Sequence, residues 1–166
     1  MRDGLALQAT DGWPIPNGFG VEPASRLVAL ARGSILLAIA SSRELNGPSG
    51  RYNCHGLTFA SRRTGIPPAG EPERAAQIVL EILRRDRYAK VPDPQVGDVV
   101  VYRASRLDDL SQALDVDHTG IVCAVEELGH QVFVWSKWGE LGEFRHRVDC
   151  SPYDGALVEY WRLVTP

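Results

Sequence analysis

The stretch Val91-Pro92-Asp93-Pro94-Gln95-Val96-Gly97-Asp98-Val99-Val100-Val101-Tyr102 is where the chain changes character. Pro92 and Pro94 cannot continue a helix or donate to a sheet ladder, and the β-branched and aromatic run from Val99 predicts a strand. Downstream, further β-rich runs at 119–125, 131–135, 143–148 and 157–163 are separated by loops or turns. Upstream, the apolar spacing is helical. Residues 73–87 form the clearest amphipathic pattern, with Ala76, Val79, Leu80 and Leu83 opposite Arg74, Glu81, Arg84 and Arg85. A short helix opens at Cys54 behind Asn53, a good N-cap, and Leu57, Phe59 and Ala60 supply its buried side. Residues 24–45 read as one helix, whole or broken, carrying Leu27, Leu30, Ala31, Ile35, Leu37, Ala38 and Ile39, weakened at Gly33 and stopped at Asn46-Gly47-Pro48-Ser49-Gly50. Residues 11–23, dense in proline and glycine, form an irregular lead-in pinned by Trp13, Ile15 and Phe19. Helices first and strands afterwards predict an α+β domain, helices packed on a central antiparallel sheet, rather than alternating βαβ units.

At 166 residues the chain has the size of one domain, with an irregular and helical part over 1–50 and a cysteine-bearing helix plus sheet over 51–166. Its 44% hydrophobic and 23% charged residues exclude a disordered or coiled-coil class. A net charge of −3 gives no drive toward phosphate backbones or anionic lipid, so neither nucleic acid nor membrane is expected as a partner. The apolar run at 27–40 is broken by Arg32, Gly33 and Ser34 and falls short of the roughly 20 residues that span a bilayer. No export signal is legible at Met1-Arg2-Asp3-Gly4, so the expectation is a chain that is cytoplasmic as synthesised. Cys54, Cys123 and Cys150 form an odd set without framework spacing, leaving at least one thiol free. Cys123, inside a β-run, reads as packing and Cys150 as an inert loop thiol.

Cys54 is the residue with chemical promise. A thiol in the first turn of a helix meets free N–H groups and the positive end of the helix dipole, which favour the nucleophilic thiolate. It needs a base, and the chain offers four histidines. His55 is adjacent on the same helix and points about 100° away, and His130 follows Gly129 in a turn. His118 enters a β-run at a strand end, where a rigid backbone can hold an imidazole, and is the preferred base. His146, in the fourth strand, remains open as a base, a supporting group or a core residue. A third group should orient the imidazole; Ser136, at the end of the next strand, is the first choice, followed by Glu140 and His146.

These residues carry a resemblance. Asn53-Cys54-His55-Gly56-Leu57 resembles the Asp-Cys-Ser-Gly-hydrophobic signature of the NlpC family of papain-like peptidases. Val96-Gly97-Asp98-Val99-Val100-Val101-Tyr102 is similar to their first strand and His118-Thr119-Gly120-Ile121-Val122 to their second, while residues 132–139 resemble the third strand of the related CHAP amidohydrolases. Departures from the pattern are Asn53 for the usual aspartate, His55 for the small residue, and Ser136 at the third catalytic position. The resemblance implies a papain-like fold and a cysteine peptidase or amidase, in which His118 takes the Cys54 proton and an acyl-enzyme forms, without metal or other cofactor. It also implies a peptide substrate, first of all the stem peptides of bacterial peptidoglycan, with Asn53, His55 and Trp138 as candidate substrate contacts; core packing is the competing reading of Trp138. The alternatives are a protein-directed cysteine peptidase or toxin domain, and an inactive papain-like binding module. A wall substrate would require phage-type release or signal-independent export.

Overall fold

The computed structural model describes residues 4–103, 116–126, 131–153 and 157–164. Its helices are α1 (Ser25–Ser34), α2 (Leu36–Ala40), α3 (Cys54–Ala60) and α4 (Ala75–Arg85), the last preceded by a 3-10 turn at Pro72–Arg74. Its strands are β1 (Arg43–Asn46), β2 (Tyr88–Val91), β3 (Val99–Arg103), β4 (Val116–Glu126), β5 (Gln131–Lys137), β6 (Glu143–Arg147) and β7 (Leu157–Leu163). They join in one sheet of order β1-β6-β5-β4-β3-β7-β2, with every pairing antiparallel. The α+β class with helices on an antiparallel sheet is therefore as expected. No helix among the described residues is long and apolar enough to cross a membrane.

Alternation along the strands sorts the core into two faces. Val99 and Val101 of β3 pack with Val79 and Leu83 of α4 and with Val116. Val100 and Tyr102 point the other way, into a cluster with Val122, Val132 and Val134 against which Tyr153 and Tyr160 rest. Ile15, which anchors the N-terminal lead-in as expected, joins Ala60, Ile66, Ile78 and Ile82 in a separate cluster, with Trp13 packed against it. The segment before β3 has a structural duty. Gly97 adopts φ +96, and Asp98 receives Arg162 through two 2.8 Å bonds and the Gln95 N–H at 2.7 Å, fixing β3 to β7.

Two expectations change. Of the two forms expected over 24–45 the helix is the broken one, α1 and α2, and its last residues are not helical but form β1. Ile35 leaves helical geometry at φ −126, and Ser34 Oγ bonds back to the Ala31 carbonyl at 2.8 Å, so the chain turns before Leu36. Arg43–Asn46 then pairs antiparallel with β6. The helix expected over 73–87 ends at Arg85, and Arg87, at φ 60, turns the chain into β2, a strand too short and polar to be legible from Tyr-Ala-Lys-Val. Most of the acidic loop expected over 105–117, and the turn holding Gly129 and His130, lie outside the described residues.

Candidate functional site

Asn53 builds the start of α3 as its sequence position implies. Its Oδ1 accepts from the N–H of Gly56 at 2.9 Å and of Ile66 at 3.0 Å, while Nδ2 donates to the Ile66 carbonyl at 2.7 Å. The cap thus fastens the helix to residues 64–66, and the contact is close: a Cβ on Gly56 would sit 1.9 Å from the Thr64 carbonyl oxygen. Asn53 lines the adjoining clefts, but its side chain is committed to this cap rather than offered to a substrate. Cys54, the first helical residue, is half-buried in the wall of a cleft of about 560 Å³, which it shares with Pro67, Pro68, Asp117, Gly139 and Tyr153. Burial of the thiol pushes it up to about 11, opposed by the main-chain N–H groups of Thr119 and His55 and by the charge of Lys137. The sulfur therefore lies at the end of the sheet, beside the backbone of β4, and is protonated at neutral pH.

His55, a candidate substrate contact, turns inward. Its Nδ1 lies 2.9 Å from Thr119 Oγ1, which is also 3.0 Å from Thr58 Oγ1, so His55 and Thr58 lock α3 onto β4; burial lowers His55 to about 4. That contact settles the direction of the neighbouring residue. Thr119 faces α3, so His118, one step earlier on a regular ladder opposite Tyr102, faces the other side of the sheet. His118 is fully buried, with Tyr153 stacked on its ring at 3.9 Å and 14°. Neither ring nitrogen has a hydrogen-bond partner among the described residues, and burial, reinforced by His146 and His55, holds the imidazole well below its usual range and neutral. Cys54 and His118 thus belong to the same end of β4, with α3 on one face of the sheet and the imidazole on the other, and no hydrogen bond joins them. Tyr153 lies on the histidine and lines the cysteine's cleft.

Ser136 does not orient His118. Its hydroxyl is 2.8 Å from His146 Nε2, and Trp138 Nε1 donates to the same oxygen at 3.0 Å. His146 Nδ1 lies 2.8 Å from the Arg147 carbonyl, an acceptor only, so Nδ1 carries the proton and Nε2 accepts from Ser136. This buried chain is satisfied from end to end, and burial lowers His146 to about 4. Trp138, expected to touch substrate, is 2% exposed and stacked on Phe144 at 4.2 Å, below α1 and α2. An indole with an inward N–H partner fills core, and Trp138 lines neither cleft. Glu140 lines a second cleft next to that of Cys54.

Three residues outside the expected set shape the site. Tyr153 caps His118. Lys137, buried at the end of β5, donates to the carbonyls of Gly139 at 2.7 Å and Leu141 at 2.9 Å, ordering the turn after the strand; burial lowers its ammonium. Glu143, wholly buried in β6, is held by Tyr52 Oη at 2.5 Å, Arg62 Nε at 2.6 Å, Asn46 Nδ2 at 2.8 Å and Trp135 Nε1 at 2.8 Å, with Arg62 also stacked over Trp135 at 4.5 Å. Tyr52 precedes α3 and Arg62 follows it, so one carboxylate fastens both ends of the helix that carries Cys54. The donors overcome the cost of burial and hold Glu143 at about 2. The available signal was an acid opening a β-run beside Phe144, a position that needs partners once buried. No family model, curated protein or solved structure matches the chain.

Proposed function

We propose that the protein is a papain-like, thiol-dependent amide hydrolase acting on peptides, with peptidoglycan stem peptides as the first substrate class to test. The reading is supported by one arrangement: a capped cysteine in a cleft wall, its sulfur beside the Thr119 backbone, and, one residue earlier on the same strand, a buried imidazole whose nitrogens have no partner among the described residues. An uncommitted buried imidazole costs stability, which favours a functional reason for it. In the described arrangement both groups are neutral and Tyr153 separates the imidazole from the cleft, so this is a resting state. Displacement of Tyr153 by substrate frees His118 to turn toward the sulfur.

The proton then passes from Cys54 to His118 and the thiolate attacks the amide carbonyl. Main-chain N–H groups at the start of α3 receive the oxyanion. The amine leaves with the proton from His118, and water, deprotonated by the same imidazole, releases the acid and restores the thiol. Ser136 and His146 support the sheet beneath this pair. Incubation with muropeptides, followed by mass spectrometry, should reveal new amine ends that Cys54→Ala and His118→Ala each abolish; wild-type cleavage rates in both variants would overturn the mechanism. A second reading, a non-catalytic binding module, is favoured by the sealing of His118 under Tyr153 and by Ser136 being engaged elsewhere. It predicts that electrophilic probes label Cys54 no faster than Cys123 and Cys150, even when peptides are present.

A further inference from the structure

Helices α1 and α2 contain no fully buried residue. Val28, Ala31, Ile35, Ala38 and Ile39 rest, partly buried, on Trp138, Leu141 and Phe144, which accounts for one side of the pair. The other side is apolar as well: Leu27, Leu30, Leu36 and Leu37 are 44%, 64%, 65% and 90% exposed. A helix that is apolar all round belongs in a buried setting, and grouped exposed leucines, unlike scattered ones, mark an interaction surface.

Two features identify what covers it. The first is the fate of the last carbonyls of each helix, which are ordinarily left to water. Ser34 Oγ donates to the Ala31 carbonyl at 2.8 Å, Ser41 Oγ to that of Leu37 at 3.2 Å and Ser42 Oγ to that of Ala38 at 2.5 Å. Hydroxyls of the chain itself thus satisfy these acceptors, as a surface that meets hydrocarbon requires. The second is charge. Residues 24–42 include no acid, and their cations are Arg26 and Arg32. Arg32 is held by Glu44 at 3.1 and 2.5 Å, whereas Arg26 and, on edge strand β1 just past the helices, Arg43 are exposed and have no ion-pair or hydrogen-bond partner among the described residues. Glu22, ahead of α1, is engaged by the Gly50 N–H at 3.0 Å. A second copy docking through the same face would offer Arg26 no acid to receive it.

Leucines bordered by unpaired cations fit the boundary between acyl chains and anionic headgroups, where leucine enters the hydrocarbon and arginine reaches the phosphates. We infer that α1 and α2 form an interfacial anchor that seats the protein on an anionic phospholipid bilayer. The domain beneath them takes the place of the polar face of an amphipathic helix. Neither helix is long enough to cross the bilayer, so both lie on it. The net charge of −3 gives the chain as a whole no pull toward such a surface, and the expectation of no membrane partner drawn from it fails at this face. Attachment does not depend on the hydrolase reading.

The experiment is co-sedimentation of the full chain with vesicles of phosphatidylglycerol and phosphatidylcholine in equal parts, and with vesicles of phosphatidylcholine alone. The protein should partition onto the mixed vesicles and more weakly onto the neutral ones. Leu37→Ser should lower partitioning onto both by about tenfold, the loss of one inserted leucine. Arg26→Gln should lower it by about fivefold on the mixed vesicles and leave the neutral ones unchanged. Leu157→Ser, at an exposed leucine on β7, should have no effect, and thermal melts should show all three variants folded. Protein left in the supernatant of mixed vesicles, or partitioning indifferent to Leu37→Ser, would overturn the anchor. So would a dimer in sedimentation velocity that Leu37→Ser dissolves, since a second copy would then occupy the face. Cys54→Ala should sediment as the wild type does, which keeps this test separate from that of amide cleavage.

Discussion

Replacing Glu143 by glutamine tests how firmly the cysteine-bearing helix is set. The carboxylate accepts from Tyr52, Arg62, Asn46 and Trp135 and is held at about 2 against an ordinary value of 4.5. A carboxyl so displaced contributes about 3 kcal/mol at neutral pH. Glutamine keeps one acceptor oxygen but turns an NH₂ group toward donors of Asn46, Arg62 and Trp135, so most of that contribution is lost. For a domain of this size the melting temperature should fall by about 6–12 °C. The pH dependence identifies the cause. Because folding depresses this acid, its stabilisation is complete above about pH 4.5 and disappears as the pH falls toward 2. The difference between wild type and Glu143→Gln should therefore shrink as the pH drops from 5 to 3. Paired thermal melts across that range measure it. A loss below about 1 kcal/mol at neutral pH, or a difference that does not change with pH, would mean that the Glu143 carboxylate does not fasten the ends of α3.

Ser136→Ala should cost about 2 kcal/mol by leaving His146 Nε2 and Trp138 Nε1 buried without partners, measurable by urea unfolding; a fully stable variant would mean the chain is not formed. Gly56→Ala, which forces a Cβ against the Thr64 carbonyl, should destabilise by about 1–3 kcal/mol and shift the start of α3. With its thiol raised to about 11, Cys54 in the resting protein should react with iodoacetamide about tenfold faster per pH unit between pH 7 and 10, a slope read by mass spectrometry of the labelled peptide. A rate already flat above pH 7 would contradict the buried, neutral thiol. Tyr153→Ala should raise the neutral-pH rate by opening the path from the cleft to His118, and no change would count against Tyr153 as the barrier.

Much of this architecture was legible because its causes are local. Asn53 announces the start of α3 since its cap reaches only three residues ahead, and Leu157–Leu163 is a strand as its β-branched and aromatic content implies. What was not legible depends on register. Alternation alone puts His118 and Thr119 on opposite faces, but only packing shows that α3 takes the Thr119 face and leaves His118 under Tyr153. The choice of His146 over His118 as the partner of Ser136 likewise follows from how β5 and β6 align. Glu143 gathers donors from positions 97, 91 and 81 residues away, beyond the reach of any local pattern. Trp138 fills core because its indole N–H finds Ser136 inside.

Intact-mass spectrometry of wild-type protein mixed with stem peptides at neutral pH tests the Cys54–His118 chemistry most directly. The hydrolase account predicts a transient acyl adduct that maps to Cys54, followed by new amine ends, with both missing from Cys54→Ala and from His118→Ala. Peptides recovered uncut, with the protein at its unmodified mass throughout, would contradict it.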